Sequence, residues 1–166
     1  MSSMKKIRIG KITLNMSTGE PGQRLEKAKK LLEIISGGKV IITKTHKRST
    51  FGVAKGRQIG VMTTIRGPGT KEMLTRLLHA VENRLKPSQF DASGNFSFGI
   101  AEYIEIPGIE YSPEIGIMGL DVCVTLERPG YRVARRALSN RIGKSHRITP
   151  EEATEWARKE LGVEVV

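Results

Sequence analysis

From Ile41 to Arg66 the chain reads IITKTHKRSTFGVAKGRQIGVMTTIR. Its central part carries Lys44, Lys47, Arg48, Lys55 and Arg57, with His46 and Phe51 among them. No Asp or Glu occurs between Glu33 and Glu72. Such a stretch cannot neutralise itself, and its natural partner is a polyanion, phosphate being the commonest. Long connections inside a domain tend to be functional. The stretch reads as an RNA-binding loop, 44–58, against the alternative of a merely solvated basic loop. A second set of groups lies near the N-terminus. In IRIGKITLNMS (7–17), Ile12, Leu14 and Met16 share one phase, and Lys11, Thr13, Asn15 and Ser17 share the other. Hydroxyls and an amide in a row can bond phosphate, ribose 2′-OH or base edges. An ordinary wet sheet face is the alternative. A third set, Arg132, Arg135, Arg136, Arg141, Lys144, His146 and Arg147, forms a basic arm over 128–148 that the pattern leaves irregular.

Catalytic constellations are not evident. Gly143-Lys144-Ser145 has the end of a phosphate-binding loop, but Leu138 stands where the upstream glycine is required. One cysteine and three scattered histidines do not make a zinc site. The spacing of the carboxylates from Glu102 to Asp121 singles out no acid–base pair. Cys123 reads as a small packed side chain. We therefore expect no enzyme activity, cofactor or metal.

The elements that must hold these groups follow from periodicity. Strands are expected at 7–17 (with a bulge at Gly10-Lys11), 40–43, 59–66, 96–101 and 120–126. In 59–66, Thr64 and Arg66 fall on the phase opposite Val61 and Thr63, and would extend the polar row if the strands pair. Helices are expected over Gln23–Ile35, closed by Gly37-Gly38, over Thr70–Leu85, and over 150–161. The last opens with Thr149-Pro150-Glu151-Glu152, a cap, a first-turn proline and a glutamate three residues on. Ile106–Gly119 is an acidic loop with exposed aliphatics and a candidate protein contact, or else a packed cover for the sheet edge.

The 166 residues carry a formal charge of +11, which points toward nucleic acid. The charge is sorted: residues 1–19 and 128–150 contain no acid, whereas 87–127 contain seven acids and no Lys or Arg. Two kinds of surface are implied, one for RNA and one for something else. No apolar run approaches the ~20 residues of a spanning helix, and a single cysteine fits a reducing cytosol. One domain over 1–166 is expected.

KITLNMSTGE (11–20), ISGGKVIITKT (35–45), TTIRG (63–67), GNFSFGIAEYI (94–104) and GLDVCVTL (119–126), in that order, resemble the L-five family of large-subunit ribosomal proteins, which binds 5S rRNA. RPGYRVARR and RIGKSHRITPEEATEW (141–156) resemble its archaeal and eukaryotic branch; Gly38 stands where many members have glutamine. The resemblance implies an α+β fold: a mainly antiparallel sheet with helices on one face and RNA on the other. It implies that Thr13, Asn15, Thr43, Lys44, Thr64 and Arg66 hold 5S rRNA, with Lys11 and Ser17 completing the row. It implies that Lys47, Arg48, Phe51, Lys55 and Arg57 reach the P-site tRNA. The basic arm would touch large-subunit rRNA. The loop bearing Ile109, Glu110, Tyr111 and Glu114 would meet a small-subunit head protein in an intersubunit bridge, beside neighbouring central-protuberance proteins. The rival reading is a general basic RNA-binding chaperone.

Overall fold

Strand β1, Arg8–Ser17, alternates buried Ile12, Leu14 and Met16 with the half-exposed Lys11, Thr13 and Asn15. It is the middle strand of a five-stranded sheet in a computed structural model that describes residues 3–48 and 52–166. The other strands are β2 (Ile41–Lys44), β3 (Gln58–Ile65), β5 (Phe96–Ile100) and β6 (Leu120–Glu127), in the order β2-β3-β1-β6-β5. Helices α1 (Gln23–Ser36), α2 (Thr70–His79) and α3 (Pro150–Leu161) make the fold α+β, as expected. Two short strands, β4 (Arg84–Leu85) and β7 (Glu164–Val165), pair in parallel as a separate ribbon. No helix among the described residues is long and apolar enough to cross a membrane.

By internal contacts the chain forms two compact units. One comprises Thr13–Ile65 and Gly99–Val122. There β2 and β3 pair antiparallel, with Ile41 opposite Met62 and Thr43 opposite Gly60. Helix α1 packs on β3 and buries Leu25, Ala28, Leu31, Leu32 and Ile35, the stripe its spacing foretells. Each large side chain of that stripe contributes about 1.5–3 kcal/mol by leaving water. Gly37, at φ 60°, ends the helix in the left-handed conformation that glycine adopts without steric cost.

The other unit comprises Met1–Ile12, Arg66–Phe98 and Cys123–Val166. Leu74, Leu77 and Leu78 of α2 are fully buried, but this helix stops at His79 rather than Leu85. Glu82 and Asn83 both take φ 55°, which no helix accommodates, and Leu85 is drawn into β4. Gly69 is the N-cap of α2, and the Thr70 hydroxyl donates to the Gly67 carbonyl. Helix α3 follows its expected start and end. The Thr149 hydroxyl accepts from the Glu152 N–H, and the Glu152 carboxylate accepts from the Thr149 N–H. Thr149→Ala should therefore lower stability by about 1 kcal/mol, measurable as a shift in the urea midpoint at unchanged slope.

Candidate nucleic-acid interface

In the unit containing Thr13–Ile65, the sheet face opposite α1 is polar. Thr13, Asn15, Thr43 and Thr64 are half-exposed there and Ser17 is exposed. The side chains of Thr13, Asn15 and Thr64 have no hydrogen-bond partner among the described residues, so their donors and acceptors remain available. Gly60 lets the strands close up at this point. A Cβ on it would lie 2.8 Å from the Met16 carbonyl and 2.9 Å from the Thr43 hydroxyl. Beyond Thr43 strict alternation would turn Lys44 to the α1 side of the sheet. A register shift between Thr43 and Lys44 sets it opposite Gln58 and leaves it exposed. Lys11, on the first half of β1, is half-exposed, and Arg66, just past β3, is exposed.

A shallow groove of about 400 Å³ opens on this face, between Asn15 and Ser17 on β1, Asp121 on β6, and Gly99 at the end of β5. Asp121 is exposed, and sequence reasoning missed it by counting it only in the acidic block 87–127. The alternation of Leu120, Val122 and Val124, all buried, was the signal that turned it outward. The same alternation overturns the packed reading of Cys123, which is exposed.

The long loop is rooted by backbone pairing. Thr45 N–H donates to the Arg57 carbonyl at 2.9 Å, Gly56 N–H donates to the Thr45 carbonyl at 2.9 Å, and the Thr45 hydroxyl donates to the Ala54 carbonyl at 2.8 Å. Beyond that root Lys47, Arg48, Lys55 and Arg57 are all exposed. Phe51 lies outside the described residues.

The acidic loop is anchored rather than free. Tyr103 is fully buried and its hydroxyl accepts the Ser112 N–H at 3.1 Å. This leaves Glu110, Tyr111 and Glu114 exposed and Ile109 half-buried, with Ile117 also 61% exposed.

The basic arm, expected to be irregular, is built on internal bonds. Arg128 is buried; it donates to the carbonyls of His146 and Arg147 at 3.3 Å and to the Glu152 carboxylate at 2.8 Å. The Tyr131 hydroxyl donates to the His146 carbonyl and accepts the Ile148 N–H. His146 is half-buried, its ring edge-on to Tyr131 and its Nε2 2.9 Å from the Pro129 carbonyl. Arg135 grips the buried Glu127 with two bonds of 2.8 and 2.9 Å. Glu127 is thus part of the arm's anchor and not of the acidic surface, and Arg135 and His146 serve that anchor rather than standing free. Arg136 bonds the Leu138 carbonyl through Nε. Arg132, Arg141, Lys144 and Arg147 are exposed and have no acidic partner among the described residues.

Burial acts to raise the Glu152 carboxyl, but the hydrogen bonds from Arg128 and the Thr149 N–H, with the Arg128 charge, outweigh it. The group lies below the ordinary carboxylate value. No cluster of three or more His, Cys, Asp or Glu side chains able to hold a metal occurs among the described residues.

Cations, amides and hydroxyls stand on a sheet face and on two rooted arms of an α+β protein. Two family models divide the chain between them. The model described as "Ribosomal protein L5" matches residues 2–53, and the model of the same ribosomal family's C-terminus matches 58–155. The chain belongs to the ribosomal protein L5 family, whose members are structural proteins rather than enzymes. It is 48% identical to the large ribosomal subunit protein uL5 of Cenarchaeum symbiosum, over 98% of each chain. It is 48% identical to that of Sulfurisphaera tokodaii, over 100% of this chain and 96% of the relative. With the protein of the same name from Nanoarchaeum equitans the identity is 46%, over 98% of each.

Proposed function

We propose that this chain is a structural constituent of the large ribosomal subunit, in the cytoplasm, and that it binds 5S rRNA as one functional domain over 1–166 and helps attach it in the central protuberance. The observation that carries the reading is the polar sheet face, where Thr13, Asn15 and Thr64 keep hydrogen-bonding groups available beside the half-exposed Thr43, with Lys11, Ser17, Lys44 and Arg66 around them. Cations supply affinity that falls with salt. Hydroxyls and the Asn15 amide supply contacts to 2′-OH groups and base edges. Asp121, in the groove with Asn15, can accept hydrogen bonds only from base N–H groups or 2′-OH, so it adds discrimination rather than affinity. Asn15→Ala should weaken 5S rRNA binding by about tenfold, the value of one well-placed base or ribose contact, with no change in the urea midpoint. Unchanged affinity in a filter-binding titration would remove Asn15 from the site.

The exposed loop cations Lys47, Arg48, Lys55 and Arg57, with Phe51, are the groups that would reach the P-site tRNA. Neutralising Arg48 and Lys55 together should leave 5S rRNA affinity within about twofold, since loop phosphate contacts would not belong to that site. Footprinting of P-site tRNA on reconstituted ribosomes should show lost protection. Equal loss of both would assign the loop to the 5S site. Arg132, Arg141, Lys144 and Arg147 are the arm residues available to large-subunit rRNA, and Arg135, Arg136 and His146 hold the arm's shape. Ile109, Glu110, Tyr111 and Glu114 offer an acidic, partly apolar surface suited to a basic small-subunit head protein. A general RNA chaperone would instead bind unrelated RNAs equally.

A further inference from the structure

The basic arm encloses a cleft of about 650 Å³, lined by Tyr131, Ser93, Ser139, Asn140, Arg141 and Arg147. We propose that this cleft receives a single extruded nucleotide of an RNA helix; the inference rests on the reading of the arm as an rRNA contact and names what the arm takes. The size falls in the ~300–1,000 Å³ range of small-molecule sites. The chemistry of the walls separates the candidate occupants. Arg141 and Arg147 are exposed and have no acidic partner among the described residues, and no carboxylate lines the cleft. Phosphate alone would use those two cations and leave Tyr131, Ala134 and Ile142 covering nothing. A wholly apolar ligand would bury the two guanidiniums unpaired, at high cost. A nucleotide answers both halves: a phosphodiester for the guanidiniums, a base face for the apolar wall, and base or ribose edges for the hydroxyls.

The walls are fixed before any ligand arrives. The Tyr131 hydroxyl is held by His146 and Ile148. Asn140 N–H donates to the Val133 carbonyl, and the Asn140 side-chain oxygen accepts the Arg141 N–H at 2.8 Å. Ser93 sits in a turn tied by the Asp91 carboxylate, which accepts the N–H groups of Ser93 and Asn95 at 2.8 Å. A separate observation points the same way. Leu138, the residue before Ser139, is 86% exposed on an otherwise cationic arm. Apolar side chains on nucleic-acid-binding arms serve as wedges against unstacked bases.

The test uses the full chain, four hairpin RNAs each carrying one bulged A, G, C or U, the same hairpin fully paired, and 5S rRNA. At fixed salt at least one bulged hairpin should bind about tenfold tighter than the paired one, the value of one base stacked in a pocket. Ser139→Leu and Ser93→Leu, which put bulk into the cleft from two different segments of the chain, should each abolish that preference and leave 5S rRNA affinity intact. Equal binding of bulged and paired hairpins by the unaltered chain would overturn the proposal. So would a preference that survives both substitutions, because the bulge would then be held elsewhere. Loss of selectivity for 5S rRNA, with the bulge preference intact, would overturn the sheet-face reading and leave the cleft standing.

Discussion

Arg128→Ala should lower the unfolding free energy by about 3 kcal/mol and expose the 131–147 arm to limited proteolysis. The side chain is 6% exposed and serves two backbone carbonyls and the Glu152 carboxylate at once. Its removal strips partners from His146 and Arg147 and leaves a void beside the capping box of α3. Two features keep the cost from reaching the ~5 kcal/mol extreme for broken buried pairs. Glu152 is 45% exposed, so water can solvate it once the guanidinium is gone, and Arg128 Nε has no hydrogen-bond partner among the described residues, so part of its burial is already uncompensated. The pH dependence follows with a definite sign. Glu152 has a lowered folded-state pKa, so its contribution is present above the ordinary carboxylate value and is lost as pH falls through the lowered one. Arg128→Ala should flatten the acid limb of the stability curve in that window. An unchanged acid limb in urea titrations would show that the pair does not couple the arm to α3.

Gly60→Val is the second large effect, about 2–3 kcal/mol of destabilisation together with weakened 5S rRNA binding. The nearest atom to an added Cβ is the Met16 backbone carbonyl at 2.8 Å, and backbone in a paired strand cannot swing aside as a side-chain tip does. Relief requires β1 and β3 to part at Gly60, which moves Met16 and Ser17 of β1 away from the strand with which Thr43 pairs. The urea midpoint should fall, and 5S rRNA affinity should fall beyond what the unfolded fraction explains. Gly60→Val with native stability and affinity would mean that this approach is not what shapes the face. Gly38, by contrast, has room for a side chain, its nearest neighbours being Ser36 atoms at 3.8 and 4.0 Å.

Much of this fold was readable because local and long-range preferences agree. Helix α1 has an apolar stripe and a glycine stop, α3 has its reciprocal cap, and β1 has strict alternation, so one residue decides each boundary. The reading of α2 ran too far because Val81 and Leu85 prolong its apolar period. Only the backbone shows Glu82 and Asn83 turning out of the helix. Strands of two residues such as β4 and β7 have no period to detect. The polar row of β1 was legible at once, and with it Thr64, since alternation fixes a face wherever the opposite side is buried. Lys44 was named on charge, but its exposure depends on a register shift that sequence does not encode locally. The arm shows what charge alone leaves unresolved. Arg132, Arg135 and Arg147 look alike in sequence, yet Arg135 is paired with Glu127, and only the three-dimensional neighbour distinguishes them. Charge sorting overreached for the same reason: within the acidic block 87–127, Asp121 belongs to the open sheet face and Glu127 to an internal ion pair.

The most direct test of the central claim is the salt dependence of binding to 5S rRNA, a tRNA and an unrelated hairpin, measured side by side with the full chain. About five phosphate contacts predict a log–log slope of roughly −4 to −5 for all three, by analogy with duplex DNA. If the sheet face reads 5S rRNA, that RNA keeps a clear advantage at high salt, because hydrogen bonds to 2′-OH groups and base edges do not release counterions. Three affinities that fall together and converge would contradict the account and leave a general basic RNA chaperone in its place.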